Sequence, residues 1–217
     1  MDTDTHQASA PIGAIAKMKK SIIAAIIYAT LFLALIISPF IEADAVRFFA
    51  ENQDQILAHA AQWISHIGST AAVLIAATCL LFWKNKKREW IPALWGSVLL
   101  TSVTVHALKF AVQRPRPMGN ILFVPLMGWI SYSFPSGHAA VASAAAPILC
   151  RGFPRLRWLW IMFPLMMALS RLYQNLHYLS DVAAGITIGL TFGLLTVMFE
   201  DRYKLFEKVK IWKKSSR

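Results

Sequence analysis

His177 and Asp181 stand four residues apart in A-L-S-R-L-Y-Q-N-L-H-Y-L-S-D-V-A-A-G, residues 168–185. On a helix that spacing puts both on one face. A carboxylate there accepts a hydrogen bond from one imidazole nitrogen. That fixes the tautomer and leaves the other nitrogen free to attack. The carboxylate also stabilises the imidazole once it becomes positive. Arg171, at the end of the preceding apolar run, is within reach of the same pocket. Two further clusters have the same character. K-F-A-V-Q-R-P-R-P, residues 109–117, carries Lys109 and Arg116. F-P-S-G-H, residues 134–138, reads as a turn that opens a helix, with Ser136 near the cap, then Gly137 and His138. Backbone N–H groups at a helix start bind anions well.

Lys, two Arg, a helix start and two His suit a tetrahedral oxyanion. Arg offers a planar fork to phosphate, and Lys adds a point charge. Such groups stabilise the charge that develops in phosphoryl transfer without a metal. No carboxylate cluster suited to Mg²⁺ or Zn²⁺ lies near these residues, so neither a metal nor another cofactor is expected.

The elements that must hold these groups are apolar. The chain has 217 residues, 57% of them hydrophobic. Residues 21–40, 63–83, 91–112, 158–176 and 178–199 are apolar runs of membrane-spanning length. Residues 136–150 form a shorter run that holds Pro147, read as a further span. The expectation is an all-α, polytopic membrane helical bundle with six transmembrane helices. Residues 1–20 form a cytoplasmic tail, 21–200 the six-span domain, and 201–217 a basic cytoplasmic tail. The first run is about twice the length of a signal-peptide core, so it is read as a retained span although Ala43-Asp44-Ala45 resembles a cleavage site. Pro92 suits the first turn of its helix. Residues 41–62 place Val46, Phe49, Ile56 and Ala60 at helical spacing, which predicts an amphipathic helix on the outer surface. Phe123, Trp129, Tyr132 and Phe134 suit the membrane–water boundary.

Of the 22 Lys and Arg residues, all but Arg47, Lys109, Arg114, Arg116 and Arg171 fall in alternate loops and the two tails. By the positive-inside rule those segments, and both termini, are cytoplasmic. The net charge of +11 is therefore a topology signal, not a nucleic-acid footprint. The motif residues lie on the opposite, outer face. Arg114 beside the first motif either snorkels to the interface or meets a substrate headgroup or lipid phosphate. His106, one turn before Lys109, is read as a packed span histidine.

K-x6-R-P at 109–117, P-S-G-H at 135–138 and S-R-x5-H-x3-D at 170–181 resemble the three signature motifs of the type 2 phosphatidic acid phosphatase superfamily. The resemblance covers about a tenth of the residues, but all three motifs are complete and in order. It implies that His177 is the nucleophile and forms a phosphohistidine, and that Asp181 orients it. It implies that His138 protonates the leaving oxygen and then helps activate water. Lys109, Arg116, Arg171, Ser136 and the Gly137 backbone would hold the phosphoryl oxygens. The implied function is hydrolysis of a lipid phosphomonoester or diphosphate at the outer face of a bacterial inner membrane. Undecaprenyl diphosphate, a lipid A phosphate, phosphatidylglycerophosphate and phosphatidic acid all remain open as substrate. The rival reading is an anion channel or transporter that uses the same cations as a filter. Transport has no need of the His177–Asp181 pair.

Overall fold

The computed structural model describes residues 10–83, 88–117 and 132–204, with side chains described for Ile22 and from Ala24 onward. The basic segment 84–87, the loop 118–131 with Phe123 and Trp129, and the tail from 205 lie outside the described residues. Every regular element described is helical, as the apolar runs predict. In chain order these are α1 (Ala10–Glu51), α2 (Gln55–Ile67), α3 (Thr70–Trp83), α4 (Trp90–Val112), α5 (Gly137–Gly152), α6 (Arg157–Tyr173) and α7 (Leu179–Tyr203). A 3-10 turn at Pro154–Leu156 joins α5 to α6.

The helix boundaries differ from the sequence reading at the outer loop. The first run does not stop at residue 40. Despite Pro39, α1 continues to Glu51, 42 residues in all or about 63 Å. Residues 41–62 therefore do not form one surface helix. They are divided at Asp54, whose Oδ1 accepts from the Leu57 N–H at 3.0 Å and caps α2. The second run is also broken. α2 ends at Gly68 and α3 opens beyond Ser69, the two helices bent by 64°. A Cβ on Gly68 would lie 1.7 Å from Cε of the buried Met167, so at the bend α6 packs against a position with no side chain.

Among the described residues, α1, α4 and α7 are each long and apolar enough to cross a membrane, and the bent α2–α3 pair makes up to a fourth. α5 and α6, at 16 and 17 residues, are shorter than the roughly 20 that a lipid core takes. For α5 the reason lies in its position. Ala139, Ala140, Val141, Ala142, Ser143, Ala144 and Ala145 are all buried, so α4, α6 and α7 surround it. Its sequence is alanine-rich because neighbouring helices approach it closely.

The closest approach is to α7. Gly185, Gly189 and Gly193 repeat every four residues along one face of α7. A Cβ on each would meet Ser136 O at 2.5 Å, Ala140 O at 2.0 Å and Ala144 O at 2.6 Å. Small residues at this spacing let two helix backbones touch. Below this seam a second cluster of Val73, Leu81, Leu94, Val98, Ile148 and Leu149 joins α3, α4 and α5. α1 lies outside against α7, and α2 lies against α6.

Candidate active site

The α5–α7 seam sets two helix N-termini side by side. Ser136 N donates to Asp181 O at 2.9 Å, so the start of α5 is hydrogen-bonded to the first turn of α7. Asp181 sits at the third position of α7, and its Oδ2 accepts from Tyr178 N at 2.8 Å. That bond satisfies a free backbone donor, and a carboxylate in the first turn suits the helix dipole. The chain reaches α7 through Asn175, which is buried and left-handed at φ 48°, a conformation Asn tolerates better than most residues. The turn returns Leu176 N to Arg171 O at 3.2 Å and delivers His177 to the interior, 3% exposed.

His177 Nδ1 lies 3.6 Å from Asp181 Oδ2. The sequence predicts a direct hydrogen bond here; the separation is ion-pair distance, slightly longer than such a bond. Ser133 explains it. Its hydroxyl donates to Asp181 Oδ2 and lies 3.4 Å from His177 Nδ1, so it stands beside the pair. Nδ1 faces the carboxylate, which makes Nε2 the nitrogen available to a substrate. Burial, then the charges of Arg171, Arg116 and Lys109, push the His177 imidazole well below its ordinary value, against the pull of Asp181. The ring is therefore neutral at pH 7, as a nucleophile must be.

The cations arrive from three elements. α4 ends where Gln113 turns left-handed, and Pro115 and Pro117 prevent its continuation. Lys109, buried in its last turn, donates through Nζ to the carbonyls of Tyr132 and Ser133. An ammonium has three donors, so one remains for an anion. Arg116 Nη1 lies 3.5 Å from Leu176 O. Arg171, at the end of α6, donates through Nη1 to Ser65 Oγ of α2 at 2.5 Å. Gln174 Nε2 donates to the same Ser65 hydroxyl and to Ala61 O, which seats α2 on α6.

Arg171 Nε and the Ser136 hydroxyl are buried without a hydrogen-bond partner among the described residues. Ser136 occupies the cap position of α5, yet its side chain makes no capping bond. Both groups are thus free to bind an anion. His138, in the first turn of α5, has Arg171, His177, Arg116 and Lys109 as its electrostatic neighbours. The structure therefore brings together all eight residues singled out from sequence: Lys109, Arg116, Ser136, Gly137, His138, Arg171, His177 and Asp181. Among the described residues, no group of three or more His, Cys, Asp or Glu is placed to hold a metal ion.

One residue, Arg114, is placed differently from the sequence reading, and His106 is placed as expected. Arg114 neither snorkels nor points to a headgroup. It turns inward and binds Asp181 Oδ1 at 3.0 Å and Glu42 Oε1 at 2.5 Å. His106 Nδ1 lies 2.7 Å from Ser102 O in its own helix, as a packed histidine does. Sequence reasoning missed Ser133, Glu42, Ser65 and Gln174, all uncommitted polar residues near span ends. A polar residue at the edge of an apolar run is a weak signal by itself.

A model of the PAP2 superfamily matches residues 90–204. The chain belongs to the PAP2 superfamily. Lipid A 1-phosphatase of Rhizobium etli is 34% identical over 128 residues, 56% of this chain and 55% of that protein. This chain thus spans about half the length of the lipid A 1-phosphatases it matches. Decaprenylphosphoryl-5-phosphoribose phosphatase of Mycobacterium tuberculosis is 32% identical over 139 residues, 62% of this chain and 76% of that protein. The fold is similar to that of a transmembrane PAP2-type phosphatidylglycerolphosphate phosphatase from Bacillus subtilis. The TM-score is 0.67 at 22% identity, over 82% of this chain and 98% of that one. This PAP2 chain is a multi-pass membrane protein. Its three motif segments all fall within the matched residues, whereas Glu42 and Ser65 lie before them.

Proposed function

We propose that this PAP2 protein is a metal-independent lipid phosphatase working through a phosphohistidine. One observation carries the reading. A neutral, buried His177 backed by Asp181 shares its surroundings with His138, three cations and two unpartnered donors.

Lys109, Arg116, Arg171, the Ser136 hydroxyl and the α5 N-terminus hold the non-bridging oxygens. They stabilise them most as charge develops. His177 Nε2 attacks phosphorus, and the bond to the leaving oxygen breaks. His138, protonated when the negatively charged phosphate enters beside it, gives that oxygen a proton. Asp181 holds Nδ1–H and offsets the imidazolium charge. Water then attacks the phosphohistidine, His138 takes its proton, the P–N bond breaks, and inorganic phosphate leaves.

The substrate is a lipid phosphomonoester or diphosphate, with a polyprenyl diphosphate or a lipid A phosphate favoured. The names of the relatives support this class. The setting is a bacterial inner membrane, with the site on the outer face and both termini on the cytoplasmic face. The alternate-loop distribution of Lys and Arg supports this orientation. Six crossings, over residues 21–200 between tails at 1–20 and 201–217, fit it. α5 needs less apolar length because neighbouring helices enclose it.

The test is phosphate release from lipid phosphates in detergent with EDTA present, wild type against His177→Ala. We expect activity that survives EDTA and falls by several powers of ten in the variant, about the loss seen when a nucleophile is removed. Equal release by both proteins would leave the channel reading standing and remove the catalytic one.

A further inference from the structure

We propose that Arg114, clamped by Glu42 of α1, is a positioning residue for the His177–Asp181 pair and not a contact for the substrate. The inference rests on the phosphohistidine reading and extends the site beyond the family-matched residues.

Arg114 Nη1 donates to Asp181 Oδ1 at 3.0 Å and to Ser180 Oγ at 2.6 Å. Nη2 donates to Glu42 Oε1 at 2.5 Å. Ser180 Oγ closes the ring by donating to Glu42 Oε2 at 2.9 Å. The guanidinium carbon sits 3.9 Å from the centroid of Tyr178, so an aromatic ring covers one face. The planar fork is thus committed to two carboxylates. A phosphate could take it only by breaking the closed ring of Arg114, Ser180 and Glu42 and the branch to Asp181.

The circuit acts on the reacting pair through Asp181, whose side chain is fully buried. Oδ1 binds Arg114, while Oδ2 accepts from Ser133 and Tyr178 N and faces His177 Nδ1. The two oxygens cannot exchange roles while Arg114 holds one of them, so the carboxylate plane stays aimed at the imidazole. Glu42 fixes the far end of the fork, and the Ser180 hydroxyl links Glu42 to the guanidinium. Without the cation between them, the Glu42 and Asp181 carboxylates would be near each other with no intervening positive charge, which favours protonation of one of them. A protonated Asp181 could neither hold the tautomer nor offset imidazolium charge.

The charged and titratable groups around Asp181 come from every neighbour. Lys109 lies on α4, and Arg114 and Arg116 follow it. Glu42 comes from α1, and His177 precedes α7. Arg171 of α6 and His138 of α5 act on His177 in turn. Loss of the Arg114 cation makes both Asp181 and His177 easier to protonate. Both effects move the acid limb of activity in the same direction, toward higher pH.

The experiment compares wild type, Arg114→Gln, Arg114→Lys, Glu42→Gln and His177→Ala, purified in detergent and assayed on a short-chain lipid phosphate. Arg114→Gln should lose about 100-fold in kcat, the scale of a misplaced catalytic group, with KM within about twofold of wild type. The acid limb of its kcat/KM profile should move to higher pH. Arg114→Lys, a cation without a fork, should recover part of kcat and return the limb toward wild type. Glu42→Gln should show a smaller fall of the same kind, and it carries the test if Arg114→Gln fails to fold. A raised KM that falls with added salt, at unchanged kcat, would make Arg114 a substrate contact and overturn the proposal. So would a fall in kcat with an unmoved pH profile, which marks a purely structural role. If His177→Ala stays active, the phosphohistidine reading itself has failed, whatever Arg114 does.

Discussion

Where α5 meets α7, backbone lies on backbone. Gly185, Gly189 and Gly193 give way to three consecutive turns of α5, with no side chain between. Where α1 and α2 meet the same bundle, long polar side chains bridge the distance: Glu42 to Arg114, Ser65 to Arg171, Tyr28 to Thr191. The first kind of contact has one solution, because a single added methyl collides with a carbonyl. The second can be lengthened, shortened or re-aimed by a rotamer change. The segments that carry His138 and His177, the proposed reacting pair, are joined by the first kind of contact, and the side chains around them by the second. The spacing of α5 against α7, at whose starts His138 and His177 stand, is set by steric exclusion, and the orientation of the surrounding side chains by hydrogen bonds.

Substitutions can test that division. The largest effect should come from Gly189→Leu. A Cβ there already meets Ala140 O at 2.0 Å, so a Leu side chain has no room and the bundle must come apart. We expect loss of a monodisperse protein in size-exclusion chromatography along with all activity; a folded, active variant would mean the seam yields. Gly185→Ala is a finer probe. Its methyl would press on Ser136 O at 2.5 Å and shift the start of α5 against His177. About 100-fold should be lost from kcat/KM with the fold retained, since small displacements of reacting groups cost that much. Unchanged kinetics would show that Ser136 is registered by something else.

Ser133→Ala should come next, at about tenfold in kcat. It removes the hydroxyl that stands beside the His177–Asp181 pair, a hydrogen bond to a charged group worth about 1.5 kcal/mol. Single-turnover formation of the phosphoenzyme is the measurement, and an undiminished rate would make Ser133 a bystander. Ser65→Ala, on the side-chain-bridged periphery, should raise KM about fivefold through a loosened Arg171, with kcat nearly unchanged. A larger fall in kcat than in Gly185→Ala would reverse the comparison. The smallest effect is expected for Tyr28→Phe, which removes a hydrogen bond to Thr191 between two helices. About 0.6 kcal/mol of stability in detergent should be lost, with wild-type turnover.

The motif residues were legible because their chemistry is local. His177 and Asp181 are four residues apart, although His177 lies just before α7 and not on its face as the spacing predicts, and Ser-Gly-His at a helix start needs no distant partner to be read. The grouping of all three motifs at one end of the bundle was legible too, since basic residues in alternate loops placed them on one face. The helix ends were less so. Residues 21–40 give no sign that α1 runs on to Glu51, because polar residues just past an apolar run suit a loop and a continuing helix equally. The break at Gly68 was hidden for a different reason: the contact that requires glycine there is with Met167, 99 residues away.

Composition and order along the chain determined a membrane-embedded helical protein with a cationic, two-histidine pocket, because apolar length and motif spacing are properties of contiguous residues. Tertiary structure alone decided that Arg114 faces inward to Asp181, that Glu42 and Ser65 from the first two helices join the site, and that Ser133 stands beside the reacting pair. These are contacts between residues tens to more than a hundred positions apart. Nothing in a linear sequence favours one such polar partner over another until packing of the glycine seam and the helices around it has placed them within hydrogen-bonding distance.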